Sequence, residues 1–143
     1  MDFSPEYILM CEKAVFLQQA WTVTYGDFYC DKSAAFATRD GSTDGGISLV
    51  DDKVLIDVLN QDFKRTKAVW LPRQDQLHEM LNISYPAEVV IMLRDFISSV
   101  TSDTIGRWRT MEQLWLSAYA LRKHSRAWTG TEWTSSEPAA GDI

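Results

Sequence analysis

Lys67-Ala-Val-Trp-Leu-Pro-Arg-Gln-Asp-Gln-Leu-His-Glu-Met-Leu81 changes character at its centre, and that change decides the fold. Lys67–Leu71 is a short β-prone run. Pro72 then opens a helical stretch, Arg73–Leu81, with Leu77, Met80 and Leu81 on one side and Asn82 able to stop it. Downstream, Pro86 starts a second helix over Ala87–Val100, on which Val89, Val90, Leu93, Phe96, Ile97 and Val100 form a wide apolar stripe. A third begins at Thr110-Met-Glu-Gln113, a capping-box pattern whose side chains can satisfy the orphan amides of a helix start. It runs to Lys123, with Met111, Leu114, Trp115, Ala118 and Leu121 inward. Arg122, Lys123 and His124 sit at its negative end, where cations are favoured. Trp128-Thr-Gly-Thr-Glu-Trp133 predicts a tight turn held by two aromatics.

Upstream of Lys67 the pattern is that of strands. Short β-prone runs at Thr22–Tyr25, Phe28–Cys30, Ala34–Thr38 and Ile47–Val50 are broken by Tyr25-Gly26-Asp27 and by the loop Asp40–Gly46. Lys53–Leu59 fits a strand or a short helix, and an irregular or short helical link is favoured. Residues 4–20 predict the first helix: Ser4 suits an N-cap, Pro5 the first helical position, and Glu6 the positive end of the dipole. Tyr7, Ile8, Cys11, Ala14, Val15 and Leu17 give it an apolar face, closed by Trp21. The expected plan is α+β: an N-terminal helix, a small mostly antiparallel sheet, then three C-terminal helices ending in a short aromatic turn. Residues 1–134 are expected to form a single domain and 135–143 a polar tail.

The 143 residues carry 20 acidic and 14 basic side chains, a net charge of −6, with 45% hydrophobic residues. A chain of this length buries roughly 70% of its unfolded surface, so neither disulfides nor metal are needed to hold it together. The acidic balance argues against non-specific binding to nucleic acid or anionic membrane. Split along the chain, residues 1–62 hold 4 basic and 11 acidic groups, whereas 63–130 hold 10 basic and 6 acidic. Nucleic acid is therefore disfavoured rather than excluded. The N-terminal stretch lacks the basic start and unbroken apolar run of a signal peptide, and no run reaches the length of a membrane helix. The expected compartment is the cytoplasm. Cys11 and Cys30, without CxxC spacing, read as buried reduced thiols.

Three groupings invite chemistry. In Asp40-Gly-Ser-Thr-Asp-Gly-Gly-Ile-Ser-Leu-Val-Asp51, the residues Asp40, Ser42, Asp44 and Asp51 fall at EF-hand positions 1, 3, 5 and 12. Oxygen ligands at alternate positions could wrap a hard cation such as calcium. Asp replaces the usual bidentate Glu at position 12, however, and strands rather than helices flank the loop. The plainer reading is a glycine-rich hairpin loop with solvated acids. Asp75 and His78 share a helix face, where an acid could orient an imidazole, but no nucleophile is placed beside them. Trp108 between Arg107 and Arg109 could stack on a base or an aromatic of a partner, or tuck under its neighbours with the arginines outside. No glycine-rich phosphate loop exists, and no cofactor is expected.

The blocks Tyr7–Ala14, Gly26-Asp-Phe-Tyr29, Trp70–Leu81, Met111–Leu116 and Trp128–Trp133 together resemble a group of small phage and prophage proteins, mainly of Gram-positive bacteria. The blocks span most of the chain in the same order, and 31–64 is the part least like the pattern. Because no activity is assigned to that group, the resemblance implies context alone: an accessory protein made inside an infected or lysogenic bacterium. The expected function is a non-enzymatic interaction module acting on a host or phage protein. Its contact surface is expected at Arg73, Gln74, Asp75 and Gln76, with Trp108 among the neighbouring aromatics. The alternative is a nucleic-acid-associated protein using the basic C-terminal half. Homo-oligomerisation is left open by the sequence.

Overall fold

The structure, a computed structural model, describes residues 1–32, 46–61, 68–100 and 106–135. Its secondary structure is α+β, with small antiparallel sheets among helices. The chain falls into two compact units: Phe3–Arg73, and Gln74–Ile143 together with Met1–Asp2.

The first unit begins with α1 (Pro5–Lys13), whose start is capped by Ser4 Oγ accepting from the Tyr7 amide. The single helix expected over 4–20 is instead two, because the chain breaks at Ala14 before α2 (Val15–Gln19). A tertiary bond compensates the break: Gln18 Nε2 donates to the Cys11 carbonyl at 3.0 Å. The same side chain reaches β3 (Ala68–Leu71), donating to the Trp70 carbonyl at 3.1 Å and accepting from the Trp70 amide at 2.8 Å. One side-chain amide thus gives Trp70 the two bonds that a neighbouring strand would give.

β1 (Phe28–Asp31) is the central strand, paired antiparallel with β2 (Ile47–Leu49) and with β3, so the order is β2-β1-β3. Gly46 permits the close approach of β2, since a Cβ there would lie 2.9 Å from the Asp31 carbonyl oxygen. The expected strand at Thr22–Tyr25 is a loop and turn, because a buried carboxyl organises it. Asp27 Oδ2 accepts from the Trp21 indole and from the Thr24 amide, both at 2.9 Å, and the Thr24 hydroxyl also donates to that carboxyl. Trp21 stacks on Trp70, with ring centroids 6.0 Å apart. The Tyr7 hydroxyl donates to the Pro72 carbonyl at 2.7 Å, fastening α1 beside the end of β3. The ambiguous stretch Lys53–Leu59 is helix α3, started by Asp52 accepting from the Leu55 amide at 2.7 Å. The expected strand Ala34–Thr38 lies outside the described residues.

The second unit contains α4 (Gln74–Met80), α5 (Pro86–Ser98), α6 (Met111–His124) and the hairpin β4 (Arg126–Trp128) with β5 (Trp133–Ser135). Asn82, at φ 59°, ends α4 in the left-handed conformation that asparagine tolerates. The box at α6 forms with its return bond shifted by one residue: Thr110 Oγ1 accepts from the Gln113 amide, and Gln113 Oε1 accepts from the amide of Arg109, the residue before the cap. A buried carboxyl completes it, with Asp2 Oδ2 accepting from the Thr110 hydroxyl at 2.6 Å and from Gln113 Nε2 at 3.0 Å. Along α6, Trp115, Leu116, Ala118 and Ala120 are buried, whereas Met111, expected inward, is exposed. The expected Trp128–Trp133 turn is the end of a true two-stranded ladder, in which the two indoles pair across the strands at 5.0 Å. Among the described residues no helix is long and apolar enough to cross a membrane.

Candidate functional site

The stripe on α5 is wider than the surface that covers it. Of its apolar residues Phe96 is buried, Val89, Leu93 and Ile97 are half-buried, and Val90 is 66% exposed. Where α5 runs beside α6, the two helices leave an open hollow of about 250 Å³. Met92, Phe96, Ala118 and Leu121 line it with apolar surface, while Asp95, Ser99 and Arg122 form its rim. A second hollow of about 40 Å³ shares Phe96 and Leu121 as a common wall and extends to Val100, Trp108, Ser117 and the start of the hairpin at Arg126–Trp128. Together they make one groove with two depressions.

Local chemistry fixes the far wall of this groove. Trp108 lies 5.1 Å from the Phe96 ring, and its indole Nε1 donates to Ser117 Oγ at 2.8 Å. Arg107 donates to the Trp128 carbonyl at 3.3 Å, tying the loop before α6 to the hairpin after it. Trp108 is therefore half-buried while Arg107 and Arg109 stay exposed, the tucked arrangement weighed against base stacking.

The other residues expected at a contact surface occupy separate environments. The Arg73 guanidinium donates to the Gly26 carbonyl at the tight turn, where Gly26 adopts φ 87°. Gln74 and Gln76 are half-buried on α4, and Asp75 is exposed. Of the calcium-type loop, Asp40, Ser42 and Asp44 lie outside the described residues. Asp51 is exposed, one residue before the aspartate that caps α3. A further hollow of about 480 Å³ in the first unit is lined by Glu12, Val15, Gln18 and Lys32 among others. Its charges are internally paired, Lys32 Nζ lying 3.4 Å from Glu12 Oε2.

His78, read from sequence as part of a polar helix face, is half-buried with its ring edge-on to Trp115, centroids 4.4 Å apart. Its buried Nε2 has no hydrogen-bond partner among the described residues. Burial lowers its pKa below the ordinary 6.5, with Asp75 opposing that shift. His124 is lowered in the same direction, by burial and then by the charge of Arg126. A histidine whose folded pKa is depressed binds its proton more readily in the unfolded chain, so stability falls as pH drops through 6.5. Urea unfolding at pH 7.5, 6.5 and 5.5 should therefore show a falling midpoint, and His78→Asn should flatten that slope. An unchanged slope in the variant would count against a neutral, buried His78.

Cys11 and Cys30 are buried free thiols, and burial pushes the Cys30 thiol pKa up, away from reactivity. Compared with known proteins, the chain matches no family model, no curated protein and no solved structure. The α5–α6 groove was missed in the sequence, although one signal pointed to it: the stripe on 87–100 is wider than one packed face requires.

Proposed function

We propose that this chain is a non-enzymatic accessory protein of a phage or prophage, which works by docking a host or phage protein into the α5–α6 groove. The observation that carries this reading is the groove itself: an apolar floor of Met92, Phe96, Ala118 and Leu121 left open between two well-formed helices. Open concave apolar surface rimmed by polar groups is the usual mark of an interaction site. The phage context comes from the resemblance of the sequence blocks alone.

The nucleic-acid alternative draws less support from the fold than from the linear sequence. The basic excess over 63–130 is divided at Arg73, because Lys64, Arg65, Lys67 and Arg73 belong to the first unit. The second unit then carries six Lys and Arg against ten Asp and Glu. That balance leaves the second unit short of the many cations that non-specific binding along a phosphate backbone needs.

The test compares wild type with Leu121→Asp, which puts a charge on the groove floor. Both proteins are immobilised, exposed to lysate of a Gram-positive bacterium and washed under identical conditions. At least one protein retained tenfold more by wild type is expected, with the variant keeping its circular-dichroism spectrum. Identical retention by the two would remove the groove as the docking surface.

A further inference from the structure

Charge around the α5–α6 groove is one-sided. On the α5 rim, the Asp95 carboxylate is met by its neighbour Arg94 at 3.3 Å. On the α6 and hairpin rim, Arg122 and Arg126 are exposed, and neither makes an ion pair with a described residue. The apolar groove is therefore overlooked by two guanidinium groups that have no ion-pair partner among the described residues. Its shape is equally specific, since the shared Phe96–Leu121 wall separates a larger depression from a smaller one. Two side chains of one polypeptide can occupy the two depressions side by side.

We propose that the groove holds an amphipathic, acidic segment of a partner polypeptide. The segment places a large apolar side chain in the depression beside Met92 and Ala118. A small one enters the depression beside Trp108, and a carboxylate faces Arg122 or Arg126. This inference rests on the docking function proposed above and names the partner's chemistry. The apolar side chains supply the affinity, because they displace water from the floor. The carboxylate supplies orientation and selectivity: it can pair with either guanidinium, whereas a basic segment is repelled by both. Exposed ion pairs contribute little by themselves, so charge decides which segment docks rather than whether one docks.

The test is selection of random peptides displayed on phage against the full-length protein. It is repeated on Leu121→Asp, on Ser99→Asp, and on the double variant Arg122→Glu/Arg126→Glu. Ser99, Arg122 and Arg126 are exposed, so those variants disturb the packed interior less than Leu121→Asp does, and circular dichroism checks that each is folded. Wild type is expected to enrich peptides carrying acidic residues around a pair of apolar ones. The enriched peptides should bind the double variant at least tenfold more weakly in fluorescence anisotropy, and selection on the double variant should favour basic peptides. Enrichment with no acidic preference, or equal affinity for the double variant, overturns the proposed chemistry while leaving the groove as a docking surface. Equal enrichment by Ser99→Asp and a folded Leu121→Asp overturns both readings, and so does the absence of any enrichment. A concentration-dependent dimer of wild type that Leu121→Asp and Ser99→Asp abolish makes the occupant a second copy, and also overturns it.

Discussion

Trp115→Ala is expected to cost about 3–5 kcal/mol, the range for removing a fully buried large aromatic. The total stability of a domain is only about 5–15 kcal/mol, so this single change should leave the second unit close to unfolding. Trp115 is 0% exposed and lies on α6 beneath the edge of His78. The loss should come from packing, because the buried indole Nε1 has no hydrogen-bond partner among the described residues. That gives a second, sharper expectation. Trp115→Phe removes an unsatisfied buried N–H along with part of the ring, and such a group itself costs about 1–3 kcal/mol. The phenylalanine variant should therefore lose much less than its missing volume suggests. Urea unfolding followed by circular dichroism measures both, and a loss below 1 kcal/mol for the alanine variant would contradict the core position of Trp115.

Asp27→Ala is expected to be the most damaging change in the first unit, at about 2–4 kcal/mol. The carboxyl is 1% exposed and accepts from the Trp21 indole, the Thr24 amide and the Thr24 hydroxyl. Its removal takes the acceptor from the buried Trp21 indole N–H and frees the turn that leads into β1, the strand on which both others pair. Asp27→Asn keeps the shape and one carbonyl acceptor but turns the other position into a donor facing donors. It should fall between wild type and alanine. Tryptophan fluorescence should report the change, since the Trp21 ring stacks on Trp70 and its indole N–H is held by Asp27. An asparagine variant as unstable as the alanine one would shift the explanation from hydrogen bonding to charge.

The parts of the fold legible in the sequence are those that local rules determine. Ser4, Pro5 and the Thr110–Gln113 box mark helix starts, and β-prone runs broken by glycine-containing turns mark β1 and β2. The parts that were illegible depend on polar side chains acting over long sequence separations. Nothing near Ala14 breaks a helix locally; Gln18 bonds the Cys11 carbonyl at the break and also reaches across to Trp70. Asp27 made Thr22–Tyr25 a turn where branched and aromatic residues suggested a strand. Asp2 looked like one surface acid among many, yet it locks the cap of α6 from 108 residues away. The groove was illegible for a related reason. An apolar stripe reports how much surface wants cover, and only the packed helices reveal how much of α5 α6 leaves uncovered. Of the residues chosen from sequence for contact, only Trp108 lines that groove.

Gln18 has a consequence for the behaviour of the molecule at high concentration. A strand edge with free amides and carbonyls can recruit a strand from another chain, and repeated recruitment is how fibres grow. At Trp70 that recruitment is pre-empted by a side chain that cannot itself be extended. Gln18 acts as a chain terminator for the sheet. Glutamate, which carries no donor, could not satisfy the carbonyl, and alanine could satisfy neither group. A mutation there would thus alter what the protein does at high concentration before it altered what the protein binds.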